Sequence, residues 1–216
     1  MLPLDCLPNR RHFLKAGFGL AAVSTALTSL AVAPIANAAD DEWNIGPRPG
    51  YTPQVGTLVS MLAFTREQVE HNTKGMTTAD LDFLLDAKAN TIGAMLYHLA
   101  AVDHYYALNS FGGMKWDSWP ADEKKKWDAP ANLGDAGRKT IKGNSLDFYL
   151  TQLHETREHT LSELKKRDDK WLTIVDSEMG MNNYAKWFHV AEHESNHDGQ
   201  IKFLKSRLPG AKPAAE

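Results

Sequence analysis

The chain has 216 residues, 43% of them hydrophobic and 24% charged, with a formal net charge of −3. Its one cysteine, Cys6, leaves no partner for a disulfide, and the chain beyond it has neither a Cys metal ligand nor a Cys nucleophile. The length suits one domain plus an export segment, and without residues 1–38 the net charge is about −5, which argues against nucleic-acid binding through a broad basic surface.

Residues 1–38 read as a twin-arginine export signal. Asn9-Arg10-Arg11-His12-Phe13-Leu14-Lys15 places paired arginines ahead of a diluted apolar run, Ala16 to Ala33, and Ala36-Asn37-Ala38 supplies the small-x-small pattern of a cleavage site. The competing reading is a retained N-terminal anchor, for which the run is short. An exported, periplasmic protein follows, with no membrane association once the signal is removed. Residues 39–52 lack periodicity and read as a flexible leader.

Residues 53–209 carry the folded domain. Thr52-Pro53 offers an N-cap and a proline at the first helical position, and Val55, Leu58, Leu62, Thr65 and Val69 form a helical stripe that stops near Gly75. A short helical turn is expected within Thr77 to Lys88. Asn90 or Thr91 caps a second helix with Ile92, Met95, Leu99, Val102 and Tyr106 on one face, ending at Phe111-Gly112-Gly113. His98 lies beside that face.

Residues 112–144 then form a long polar and aromatic connection, with Trp116, Trp119 and Trp127 and one short charged helix from about Pro120 to Trp127. It is longer than packing requires, and such connections are commonly functional. Ser145 caps a third helix, on which Leu146, Leu150, Leu153, Arg157, Leu161 and Leu164 share a face. An arginine on an apolar face must find an anion or extend to water: for Arg157, a substrate anion or an ion pair with Glu192. Asp168 to Gly180 is a turn, Asn182 or Asn183 caps a fourth helix running to about Arg207, and residues 210–216 read as a disordered tail. With no strand signal of useful length, the fold class is all-α, a four-helix bundle with a long connection between helices two and three.

The chemistry concentrates on the fourth helix, in His189-Val190-Ala191-Glu192-His193-Glu194-Ser195-Asn196-His197. Residues four apart share a helix face, so His193 and His197 can hold one cation as neutral imidazoles. A metal site needs a third protein ligand, and His98, near the middle of the second helix, is the best placed. His71 lies at a helix end, His104 points away from His98, and His154 and His159 cannot both reach the interior. His189 falls one turn before His193, where a hydrogen-bonding role is expected rather than ligation. Gln200, one turn after His197, is placed to orient a bound group. The structural alternative is that His98 is a satisfied core histidine and the i, i+4 pair is coincidence. His193-Glu194-Ser195-Asn196-His197 is also literally the H-E-x-x-H string of zinc metalloproteases, with Glu194 as the base. The extended form fails here, because Gly199 comes one residue early and no later histidine follows.

Asn90-Thr91-Ile92-Gly93-Ala94-Met95-Leu96-Tyr97-His98-Leu99 with Asp103-His104-Tyr105-Tyr106, and His189 to Ile201 followed by Leu204-Lys205-Ser206-Arg207-Leu208-Pro209, resemble the second- and fourth-helix motifs of the DinB-like family. Asp147-Phe148-Tyr149-Leu150 and Arg157 to Leu164 are similar to its mycothiol-transferase-like branch. The resemblance spans about residues 53–209. It implies a DinB-like four-helix bundle with a divalent metal on His98, His193 and His197, homodimers, and a metal-activated thiol as in thiol S-transferases and a maleylpyruvate isomerase. The expected function is therefore a metal-dependent enzyme, a thiol- or water-dependent transferase or hydrolase acting on a small molecule. The alternative is a non-enzymatic metal-binding or stress-related binding protein. Imidazole ligands suit zinc, nickel, iron or copper.

Overall fold

A computed structural model of the chain describes residues 43–211. The expected export signal, the start of the leader and residues 212–216 of the tail lie outside the described residues. The helices are α1 (Pro53–Thr73), α2 (Thr78–Leu81), α3 (Ile92–Ser110), α4 (Ala121–Asn132), α5 (Gly134–Thr140), α6 (Leu146–Leu164), α7 (Asp169–Leu172) and α8 (Asn183–Lys205). Two short strands, β1 (Val175–Asp176) and β2 (Met181–Asn182), pair antiparallel. The fold is all-α, as the periodicity requires; strands of two residues leave no alternation to detect.

Local signals set most helix starts. The side chains of Thr91, Ser145 and Asn182 accept from the third residue of α3, α6 and α8 at 3.1, 3.2 and 2.8 Å. Thr77 and Asp80 form a reciprocal capping box on α2. Helix α1 differs: Thr52 makes no side-chain cap. Its hydroxyl instead donates to the Asp169 carboxylate, which also accepts from the Gln54 and Val55 amides at 3.0 and 3.2 Å. The first helix is thus capped by a residue more than a hundred positions away.

The four long helices α1, α3, α6 and α8 form the bundle. Side-by-side packing joins α1 to α8, α8 to α3, α3 to α6 and α6 to α1, so α1 faces α3, and α6 faces α8, across the diagonals. Contacts between Thr65 and Glu194 and between Asn72 and Asp198 show α1 and α8 running parallel. Gly93 against Tyr149 and Asp103 against Arg157 show the same of α3 and α6. Parallel neighbours need a connection that travels back along the bundle, roughly 28 Å for the 19 residues of α3 at 1.5 Å each. This is why the linker after α3 is long. It holds two helices, not the single short one expected: α4 continues through Pro130, and α5 follows a turn at Leu133, whose φ is +53°.

The bundle interior has two apolar ends with a charged layer between. One end gathers Val69, Met95, Leu96, Leu99, Tyr149, Leu153 and Ile201; the other gathers Leu58, Leu62, Tyr106, Leu164, Trp187 and Val190. Between them each long helix contributes one buried charge: Arg66, Asp103, Arg157 and Glu194, none more than 6% exposed. Arg157 donates to Asp103 Oδ2 at 2.8 Å, to Glu194 Oε1 at 2.9 Å and to the Leu62 carbonyl at 2.7 Å. Arg66 donates through Nε to Glu194 Oε1 at 3.0 Å and through Nη1 to the Leu153 carbonyl at 2.7 Å. Thr65 completes Glu194 at 2.9 Å, and the Thr160 hydroxyl donates to Asp103. Two cations and two anions balance, which makes burial of all four tolerable.

Candidate metal centre

The three-histidine group lies where α8 and α3 run antiparallel. His193 Nε2 stands 3.2 Å from His98 Nε2 and 3.1 Å from His197 Nε2, and one nitrogen from each of the three lies within 4.8 Å of the others. Four ligands at 2.0–2.1 Å from a tetrahedral ion are about 3.3 Å apart, so the spacing suits one ion. The spacing of four on α8 supplies two imidazoles, and α3 brings the third.

Hydrogen bonding decides which ring nitrogen is available. His98 Nδ1 is 2.9 Å from the Pro130 carbonyl, which can only accept, so its proton sits on Nδ1 and Nε2 carries a lone pair. His197 Nδ1 is held 3.1 Å from Gln200 Oε1 in the same sense. His193 Nε2 can serve at most one of these lone pairs with a proton, whereas a cation serves all three. His193 Nδ1 is buried without a partner among the described residues. Burial, reinforced by the neighbouring histidines, lowers His193 to about 3; burial and His98 lower His197 to about 4. His98 is also lowered, mainly by burial, against its hydrogen bonds to Pro130 and Ala131. All three are neutral at neutral pH, the form that binds metal. The donor set therefore fits a divalent cation.

The other expected residues are placed as follows. Gln200 bonds His197 rather than reaching the centre. His189 Nδ1 lies 3.4 Å from Glu192, with its ring 5.6 Å from that of His193. The Arg157–Glu192 pair does not form. Glu192 is on the exposed side of α8, while Arg157 enters the interior from the diagonal helix and meets Glu194 and Asp103. Those two carboxylates and the Leu62 carbonyl each take a donor from the Arg157 guanidinium, whose charge is thus balanced inside the bundle. Glu194 likewise cannot serve as the base of an H-E-x-x-H protease. It is 1% exposed and locked to Arg66, Arg157 and Thr65. Burial raises its carboxyl, but the charges of Arg157 and Arg66 and the hydrogen bonds from Arg66 and Thr65 outweigh this and hold it below the usual range.

A cavity of about 530 Å³ adjoins the centre, with His193 in its wall beside Tyr105, Tyr106, Trp116, Trp119 and Asp128. The return path of the connection builds it. Along that path Trp116 meets Tyr106, Trp119 stacks on Tyr105, Trp127 stacks on His104, and Pro130 reaches His98. The linker was legible as aromatic and longer than packing requires, though not that Trp116 and Trp119 line a cavity. The Pro130 contact was not, since a backbone carbonyl has no signature in the sequence. His104, set aside above, bonds Glu123 at 2.6 Å, outside the cluster.

No curated protein matches this chain. A solved structure described as the conserved protein of locus from Enterococcus faecalis superposes with a TM-score of 0.53 at 12% identity, covering 69% of this chain and 93% of that one, a likeness of fold alone. The family model for mycothiol-S-transferase matches residues 57–210, which include every long helix almost whole and all three clustered histidines. With that match over most of its length, the chain belongs to the mycothiol S-transferase family, a DinB-like family.

Proposed function

We propose that this protein is a metal-dependent transferase that joins a small-molecule thiol to an electrophile at the His98–His193–His197 centre. The observation that carries the reading is the convergence of three neutral Nε2 atoms, two of them with their other nitrogen held by Pro130 and Gln200, at the wall of a cavity able to admit a small molecule. A divalent cation held there supplies a Lewis acid that lowers the pKa of a thiol, or of water in a hydrolytic variant.

The chain's own residues supply the rest. Pro130 and Gln200 fix the tautomers of His98 and His197 and so present both lone pairs inward. Tyr106, Trp116 and Trp119 give the substrate an apolar wall and reduce its exposure to water. Export through residues 1–38 is part of the proposal, supported by Arg10-Arg11 and Ala36-Asn37-Ala38. Pairing as a homodimer is supported by an apolar groove between α1 and α8 containing Ile45, Phe64 and Phe188.

The test combines elemental analysis of protein taken from its own compartment with turnover of a panel of thiols, electrophiles and esters. We expect about one ion per chain and metal-dependent turnover of a thiol, both lost in His98→Ala, His193→Ala and His197→Ala. Wild-type protein that takes up no divalent metal would end the reading. Metal uptake without turnover on any of the panel would leave a metal-binding protein.

A further inference from the structure

The cavity beside the histidines has a chemical character of its own. Its wall is a continuous series of rings: Tyr105 stacks on Trp119 with centroids 4.9 Å apart, Trp119 meets Trp116 at 5.5 Å, and Trp116 meets Tyr106 at 5.0 Å. Tyr106 lies 5.8 Å from His189, which leads to His193. At the Tyr105 end the acidic groups are Asp128 and Asp117, and no lysine or arginine among the described residues lines the cavity. Asp117 is engaged by Lys124 at 3.0 Å on the outside. The Asp128 carboxylate accepts from the Tyr105 hydroxyl through Oδ1 at 2.6 Å, and its Oδ2 has no protein donor among the described residues.

We infer that this cavity selects a ligand carrying a positively charged nitrogen, an organic ammonium seated between the Trp116–Trp119–Tyr105 wall and the Asp128 carboxylate. The aromatic faces and the carboxylate each attract a cation, and together they disfavour an anion. The local field has the same sign: beyond the effect of burial, Asp128, Glu123 and Asp117 all push the Tyr105 phenol upward. Along this series of ring contacts the ammonium seat is at the Tyr105 end, and His193 follows His189 at the other. The inference rests on the proposed function only in making this ligand a substrate; binding is independent of it.

The experiment titrates the full chain with choline, with its uncharged carbon isostere 3,3-dimethylbutan-1-ol, and with the anion 3,3-dimethylbutanoate. Tryptophan fluorescence and calorimetry follow binding, in zinc-loaded and in EDTA-treated protein. Choline is expected to bind about tenfold more tightly than the alcohol, with the anion weakest, and Asp128→Asn is expected to abolish most of that preference. Trp116→Ala, at a rim position 42% exposed, is expected to weaken choline binding without altering the fold. The inference is overturned if the alcohol equals choline, if the anion is preferred, or if none binds below about 10 mM. His193→Ala separates the two readings. Loss of zinc with retained choline preference leaves this inference intact, and wild-type protein that binds zinc but shows no preference removes this inference alone.

Discussion

Replacing Glu194 by Gln tests the charged layer and the excluded protease at once. The side chain keeps its size, but two buried guanidiniums then face one remaining carboxylate, Asp103. The new amide nitrogen must also face either the Thr65 hydroxyl, which then has to turn its proton away, or the Arg66 and Arg157 N–H groups 2.9–3.0 Å from Oε1. Removing one member of a buried ion network costs about 3–5 kcal/mol. For a protein of this size that lowers the melting temperature by about 6–20 °C. Thermal unfolding followed by circular dichroism in metal-free buffer reads the shift. The doubly neutralised Arg66→Met, Glu194→Leu variant, with Arg157 and Asp103 still paired, is expected to regain part of the loss. A shift below about 2 °C for Glu194→Gln would refute the reasoning. So would unchanged stability together with loss of a peptide-cleaving activity, since that is how a catalytic base behaves.

Gln200→Ala removes the acceptor at His197 Nδ1 from an exposed position. Metal affinity is expected to fall about tenfold in a competition titration while the metal-free melting temperature stays unchanged. The Asp176 carboxyl is held well below the usual range, first by Lys186 at 2.8 Å, with burial opposing and the Met179 and Glu178 amides and Asn109 assisting. Its folded value lies below its unfolded one. Its stabilising contribution is therefore complete above the ordinary carboxylate range near 4 and is lost as pH falls towards the folded value. Urea unfolding from pH 7 to pH 3 should show Asp176→Asn less stable than wild type at neutral pH, with the gap narrowing below about pH 4. A gap that is constant or widens in acid would contradict the assignment.

The periodic stripes and the caps at Asn90 or Thr91, Ser145, and Asn182 or Asn183 made the four long helices legible in order, because a helix and its start depend on neighbours within a turn or two. The same locality made His193 and His197 legible as a pair. His98 was legible as a candidate by its place near the middle of an apolar helix. The rest depended on how the helices are arranged. Arg157 was visible as a charge needing an anion, yet its partners are Asp103 and Glu194 on two other helices. The spacing alone does not separate Glu192 from Glu194 as its partner.

What the sequence determined by itself, then, is the set of helices and the residues that could meet. Only the tertiary structure decided which do. Parallel α3 and α6 force the chain to retrace the bundle, and that return places Pro130 against His98 and Trp116 and Trp119 in the cavity wall. Hydrophobic periodicity says that a helix face is buried without saying against which helix, and a contact across the bundle becomes specific only when all four axes are set together.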